Sequence, residues 1–442
     1  MRGVRGARPS DTAPRCFVML DEQLAAALAR RERNGTRRRL RPELVARADA
    51  CADFSSNDYL GVARSAEAHA AFERRAAVCR LGSTGSRLLD GDSRAHTALE
   101  ERLAKRFRAP AALLFNSGFD ANVSLLSTLP QPGDLVVYDE LVHASMHDGM
   151  RRCRARCVPF RHNDPADLGR VLHAEREALA TSPPPNVILA LEGVYSMDGD
   201  VCALRELCSV LEEHVRAPGT RHVLLDEAHS VGAYGLGVCA SLGAESLVSA
   251  RLVTFGKALG AAGAVVLCPP LWREYLINYA RPLVYSTALS PVGVAAIDAS
   301  LDLLDNEELR RRAEVLHARV RAVHAEVRTV SWAAPPPAQA GSLPPSPVVP
   351  VETPEAHALA AYLQAAGFLV RPVTYPTVPR GRERVRVCVH YHNTEEEVRR
   401  LGEALRRWVP SGGTPGGAGG APPGTPGPTP PSGAAQNPNP KL

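Results

Sequence analysis

Short uninterrupted apolar runs, each closed by a small or polar residue, recur along the middle of the chain. Ala111-Ala-Leu-Leu-Phe115, Leu135-Val-Val-Tyr138, Asn186-Val-Ile-Leu-Ala-Leu191, Val223-Leu-Leu225 and Arg251-Leu-Val-Thr254 are of this kind. A run of that length without polar alternation suits a strand buried on both faces, so each predicts an inner strand of a parallel sheet. Between the runs, apolar residues fall at helical spacing. Leu99, Leu103 and Phe107 share one side of a segment from Arg94 to Arg106 and just beyond, and a second helix is expected from Leu204 to His214. Alternation of the two patterns from about Ala66 to Leu267 predicts an α/β fold whose mostly parallel sheet is covered on both sides. Outside it, a first helix is expected over Asp21 to Glu32, and helical patterns from Val292 to Val327 lead into a smaller α+β C-terminal domain. The expected division is a disordered terminus over 1–20, an N-terminal segment over 21–65, a large domain over 66–291, a small domain over 292–409 and a disordered tail over 410–442.

Composition adds limits to that picture. With 442 residues, 45% hydrophobic and 22% charged, the chain is long enough for one large and one small domain of ordinary globular make-up. The net charge of +5 is scattered, which argues against nucleic acid and favours anionic substrates. No apolar run approaches the length of a membrane span. Ten cysteines include no C-x-x-C pair and no zinc spacing, and one helical turn accounts for Cys153 and Cys157, so free thiols and no metal are expected. Met1 to Pro14 is basic and nearly free of acids, which keeps a mitochondrial presequence open, although Pro9 and Pro14 interrupt a long helix. Ala333 to Pro345 reads as a proline-rich surface loop, and Pro410 to Pro440 as a flexible tether. The chain ends in Pro440-Lys441-Leu442, a degenerate form of the Ser-Lys-Leu address that a peroxisomal import receptor reads.

Several strand ends carry chemistry. Asp226 and His229 close the strand in Leu224-Leu-Asp-Glu-Ala-His-Ser-Val-Gly232, and Lys257 follows the next strand between Gly256 and Gly260. An acid at one strand end and a lysine at another suit pyridoxal phosphate, which needs a carboxylate for its ring nitrogen and an amine for attachment. A strand-end aspartate also makes a turn or cap, and a lone lysine is ordinarily solvated, so the pair alone leaves both readings open. Ala111 to Asn122 reads as strand, turn and helix, with a helix N-terminus that can take an anion at Gly118 or simply be capped by Ser117. Arg382, Arg384 and Arg386 alternate onto one face of a strand. The first two suit a solvated edge, whereas Arg386 lies in the apolar part, where an unpaired guanidinium is costly.

From about Arg37 to about Val398 the chain resembles the α-oxoamine synthases, which are fold-type I pyridoxal phosphate transferases. The resemblance is carried by Phe54-Ser-Ser-Asn-Asp-Tyr-Leu-Gly61, Leu81-Gly-Ser-Thr-Gly-Ser-Arg-Leu-Leu-Asp-Gly91, the runs around Asp226 and Lys257, and Pro376-Thr-Val-Pro379 with the arginines after it. It implies that Lys257 holds the cofactor, Asp226 its ring nitrogen and His229 its phenolic oxygen, with His143 stacked on the ring. It further implies that Gly118, Phe119 and Thr254 meet the phosphate, that Glu192 and Ser196 lie around the ring substituents, and that Thr287 reaches the phosphate of a neighbouring subunit in a homodimer with shared sites. Ser83 to Gly85 would lie near the mouth. For the substrates it implies Arg37 on the acyl chain, Asn57 and Thr377 facing the substrate, and Arg386 on the amino-acid carboxylate. The implied reaction is decarboxylative condensation of an amino acid with an acyl-CoA thioester. The signatures look most like the members that join L-alanine to pimeloyl-CoA. Members that use glycine or serine run the same chemistry, and a non-catalytic partner subunit would be expected to lack a lysine where Lys257 stands. Because peroxisomal chain shortening could generate such a thioester, the tail is read as a peroxisomal address in preference to a cytosolic or mitochondrial location.

Overall fold

The computed structural model describes residues 18–40, 51–304, 306–334 and 343–411. The N-terminal residues up to 17, the centre of the proline-rich loop, and the tail with Pro440-Lys441-Leu442 lie outside the described residues.

The described strands, in chain order, are β1 (Ala52–Asp53), β2 (Ala111–Phe115), β3 (Leu135–Asp139), β4 (Arg156–Phe160), β5 (Val187–Glu192) and β6 (Arg221–Asp226). They continue with β7 (Ala250–Thr254), β8 (Ala264–Cys268), β9 (Val348–Glu352), β10 (Phe368–Leu369), β11 (Arg371–Val373) and β12 (Arg384–Cys388). Seven form the central sheet in the order β2-β8-β7-β6-β5-β3-β4. Every predicted strand is among them, but the Ala111 run, expected inside the parallel part, forms the edge strand β2, which pairs only with β8 and antiparallel to it. β8 runs antiparallel to both of its neighbours, and the other pairs are parallel. Alternate residues feed opposite faces: Leu113 and Phe115 enter one apolar core, Ala112 and Leu114 the other. Burial on both faces is why these strands read as unbroken apolar runs. Parallel strands bring their carboxyl ends to one edge, and the register there sets Glu192 opposite Asp226 and Asp226 opposite Leu252.

The smaller sheet, β11-β12-β9, is antiparallel and is backed by helices Glu307–Arg328, Ala356–Ala365 and Glu395–Arg407. The last of these starts with a capping box between Thr394 and Glu397. The N-terminal segment joins this side of the molecule. β1 pairs in parallel with β10, and Cys388 N–H donates to Phe54 O at 2.8 Å, which delivers Asn57 and Tyr59 beside β12. Helix Pro291–Leu304 lies against the large domain, where Asp298 accepts from Arg75 at 2.6 Å and from Arg102 at 2.5 Å.

Two expectations change. Cys153 and Cys157 are not one turn apart on a helix: Cys153 ends helix Ala144–Arg152 in an extended conformation and Cys157 lies on β4, their sulfurs 4.0 Å apart. Hydrogen bonding of β4 to β3 along the sheet edge outweighs continuation of the helix. Arg384, expected on a solvated edge, is only 1% exposed because Asp198 and Glu352 converge on it.

Candidate active site

The floor of the site is Asp226, the last residue of β6, with 5% of its surface exposed. Its Oδ2 accepts from Asn122 Nδ2 at 2.7 Å and its Oδ1 from the Ala228 N–H at 2.9 Å. Asn122 lies one turn into helix Gly118–Thr128 and also donates to Ser145 Oγ at 3.0 Å, which in turn lies 2.7 Å from His143 Nδ1. His143 caps helix Ala144–Arg152 and presents an exposed imidazole, with the Phe119 ring edge-on at a centroid distance of 6.4 Å.

His229 is buried on the turn after β6, with Nδ1 2.7 Å from the Tyr59 hydroxyl. Burial, reinforced by the charges of Lys257 and Arg386, holds its pKa well below the usual histidine value, so it is neutral near pH 7. Burial pushes the Tyr59 phenol up, so Tyr59 keeps its proton. Lys257 is half-buried on the turn between β7 and β8. Burial lowers its ammonium pKa against the opposing pull of Asp226 and Glu192, which raises the fraction of free amine. The turn closes at Gly260 with φ +64°, where a Cβ would fall 2.3 Å from the Ala63 nitrogen. Only glycine lets the lysine turn pack under the N-terminal segment.

At the end of β2, the Ser117 hydroxyl caps the Asp120 N–H at 3.1 Å, and Gly118 and Phe119 open the helix, the position where N–H groups attract an anion. A Cβ on Gly118 would sit 3.5 Å from Thr254 Cβ, so the helix start and Thr254 share one small space. Thr287 lies at the same mouth, exposed, its carbonyl accepting from Asn116 Nδ2 at 2.9 Å. The loop from Ser83 to Gly85 joins this rim, since Ser83 Oγ donates to Leu289 O at 2.7 Å and Ala288 N–H donates to Gly85 O at 2.9 Å.

On the small-domain side, Arg386 donates to Ser196 O at 3.1 Å and to Asn57 Oδ1 at 2.5 Å, and it makes no ion pair among the described residues. Thr377 is half-buried in an adjoining cleft of about 460 Å³ that Ser196, Tyr375, Arg380 and Arg382 also line. Arg37 is not brought to the site; it pairs with Glu32 at 3.2 Å on the first helix, Val18–Arg33. Tyr59, Asn122 and Ser145 were given no role from the sequence. The available signal was their place in the chain, Asn122 one turn after Gly118, and Tyr59 and Ser145 two residues after Asn57 and His143.

The residues fit pyridoxal phosphate. Asp226 is a buried carboxylate that makes no ion pair among the described residues, and a pyridinium nitrogen supplies the missing cation. A lysine amine, a helix start for the phosphate and a neutral histidine for the phenolic oxygen complete the donor set. The fold and this site together define a fold-type I pyridoxal phosphate enzyme. Residues 49–405 match the aminotransferase class I and II family model. The chain is 40% identical to an 8-amino-7-oxononanoate synthase of Emericella nidulans over 90% of its own length and 97% of that protein. A Klebsiella pneumoniae protein of the same description is 36% identical over 80% of this chain and 88% of the relative. A serine palmitoyltransferase from S. paucimobilis, solved with bound PLP and myriocin, matches with a TM-score of 0.72 at 26% identity, covering 80% of this chain and 86% of that one. The chain belongs to the class I and II aminotransferase family, in its α-oxoamine synthase group.

Proposed function

We propose that the protein condenses L-alanine with pimeloyl-CoA to give 8-amino-7-oxononanoate, carbon dioxide and free coenzyme A, working as a homodimer. The observation that carries the reading is Arg386, a guanidinium that donates to neutral oxygens and makes no ion pair among the described residues, together with the relatives of that description. Bound at Lys257, pyridoxal phosphate supplies an electron-accepting ring that stabilises negative charge at the amino-acid Cα. Arg386 takes the amino-acid carboxylate in a charge-assisted pair. Lys257 Nζ would remove the Cα proton, since its burial-lowered pKa raises the fraction of free amine able to accept one. Asp226 would hold the charge of the ring nitrogen, and neutral His229, its Nδ1 2.7 Å from the Tyr59 hydroxyl, would meet the phenolic oxygen. His143 covers one face and orients the bound amino acid. The new carbon–carbon bond would join Cα to the thioester carbonyl as the coenzyme A thiolate leaves, and the carboxylate would then depart as carbon dioxide, the electron pair left on Cα taking back the proton held on Lys257 Nζ.

Exposure of Thr287 beside the helix Gly118–Thr128 supports its contact with a second subunit, and the Pro440-Lys441-Leu442 end supports a peroxisomal address. The test of function is coenzyme A release with matched pairs of substrates. Release with alanine and pimeloyl-CoA, abolished in Lys257→Ala, is expected; release only with glycine and a short acyl-CoA would reassign the substrates. The address is tested by a fluorescent protein fused at the N-terminus. Puncta that disperse when Leu442 is deleted are expected, and a diffuse signal in the intact fusion would reject it.

A further inference from the structure

The hydrogen bonds between His143 and Asp226 fix the positions of protons, because one donor among them is unambiguous. The Ser145 backbone N–H donates to His143 Nδ1 at 3.2 Å, so that nitrogen carries a lone pair. Ser145 Oγ lies 2.7 Å from the same nitrogen and 3.0 Å from Asn122 Nδ2. An amide nitrogen can only donate, so the hydroxyl accepts from Asn122 and gives its own proton to His143, leaving the imidazole proton on Nε2. The second hydrogen of the same amide goes to Asp226 Oδ2 at 2.7 Å. Flipping the amide would set its oxygen against the Asp226 carboxylate, so electrostatics decides the orientation. Asn122 is 3% and Ser145 0% exposed, so both links are shielded from bulk water.

We propose that Asn122 and Ser145 are positioning residues whose hydrogen-bond chain holds His143 in its Nε2–H tautomer and orients the Asp226 carboxylate, so that one amide sets both groups that flank the cofactor ring. The proposal rests on the cofactor reading for what the two ends do. The tautomer itself is a property of this chain's own residues. Without the Ser145 hydroxyl, His143 Nδ1 loses the shorter of its two Ser145 donors, and Nδ1–H becomes competitive. Without the Asn122 amide, Asp226 keeps only the Ala228 N–H.

The experiment is 15N spectroscopy of histidine-labelled holoenzyme, with the His143 signals assigned by their loss in His143→Asn. The wild type is expected to show Nε2–H alone, Ser145→Ala a mixture of tautomers, and Ser145→Thr, which keeps the hydroxyl, the wild-type pattern. Alongside, kcat in Ser145→Ala and Asn122→Ala is expected to fall about tenfold to a hundredfold with little change in amino-acid KM, the size of loss typical when an outer hydrogen-bond partner is removed. If Thr does not fit the buried position, the Asn122→Ala spectrum decides. A protonated Nδ1 in the wild type, or a tautomer unchanged in both Ser145→Ala and Asn122→Ala, would overturn the proposal. Measuring the wild type with and without added pyridoxal phosphate separates the two readings. Absence of cofactor absorbance would reject the cofactor site, while the apo spectrum would still report on the hydrogen-bond chain.

Discussion

Arg384 and Arg386 leave the same face of β12 two residues apart and meet opposite surroundings. Arg384 is enclosed by charge: its Nη1 is 2.6 Å from Asp198, its Nη2 3.3 Å from Glu352, and Met197 O accepts at 3.0 Å. Arg386 reaches the same loop at Ser196, where the neutral oxygens of Ser196 and Asn57 accept from it and no carboxylate pairs with it among the described residues. One guanidinium is neutralised by the protein and ties β12 to the loop; the other is oriented by the protein with its charge left for a ligand. Identical residues on one strand face are thus divided into a clamp and a receptor by where the carboxylates fall.

The contrast breaks most visibly at the clamp. Arg384→Ala should cost about 3 kcal/mol of unfolding free energy, the lower end for breaking a buried ion pair, because Arg382 also reaches Glu352 at 2.8 Å and Asp198 at 3.5 Å. Urea unfolding checks this, and a midpoint like that of the wild type would mean that the loop is held by something else. At the receptor the loss should appear in binding. Arg386→Ala should lower kcat/KM for the amino acid by about 1.5 to 3 kcal/mol through loss of a charge-assisted hydrogen-bonded pair, while the acyl-CoA KM stays put. Equal rises in both KM values would count against the carboxylate role.

Neither fate was legible in the alternation of arginines. The alternation correctly sets Arg384 and Arg386 on one face, but Asp198 lies 186 residues away in the chain and Glu352 arrives through the β9 pairing. The same limit hid Asn122, whose partner Asp226 is 104 residues distant. What could be read was local: burial on both faces makes β2, β3, β5, β6 and β7 unbroken apolar runs, β2 although it lies at one edge of the sheet, whereas β4 at the other edge exposes Arg156 and Pro159 and gives no such run. Lysine, aspartate and the two site histidines stood out because family motifs keep them at strand ends. Arg37 has no counterpart in this frame, since within the single chain its partner is the exposed Glu32.

Paired against unpaired charge can also be read by pH at two histidines. Burial opposes a charge on His162, but Asp139 and Asp200, each 3.0 Å away, overcome it and push its pKa up to about 10. His324, packed in the buried face of helix Glu307–Arg328, has no acid beside it, and burial with the Arg328 charge lowers it to about 4. Between about pH 4 and 6.5 the unfolded chain binds a proton that folded His324 does not, so stability from that group rises with pH. Between about 6.5 and 10 folded His162 keeps a proton the unfolded chain has lost, so its contribution falls as pH rises. Each limb has a slope of at most about 1.4 kcal/mol per pH unit. Denaturant midpoints against pH should show His162→Gln flattening the alkaline limb and His324→Leu the acid one; no change in either limb would reject the assignment.

The smallest effect belongs to the third arginine of the row. Arg382 has 55% of its side chain exposed and pairs with the two carboxylates that Arg384 already neutralises. An exposed pair of this kind is worth less than about 1 kcal/mol and weakens with salt, so Arg382→Ala alone should barely move the urea midpoint. In the Arg384→Ala background the situation changes, because Arg382 is then the remaining cation within ion-pair range of Asp198 and Glu352 among the described residues. Removing it there strands two carboxylates instead of trimming a surplus charge, so the double variant should lose more than the sum of the single losses, by roughly 0.5 to 1 kcal/mol. Strict additivity at low salt would mean that the outer arginine takes no part in the clamp and that the row divides two ways only, between Arg384 and Arg386.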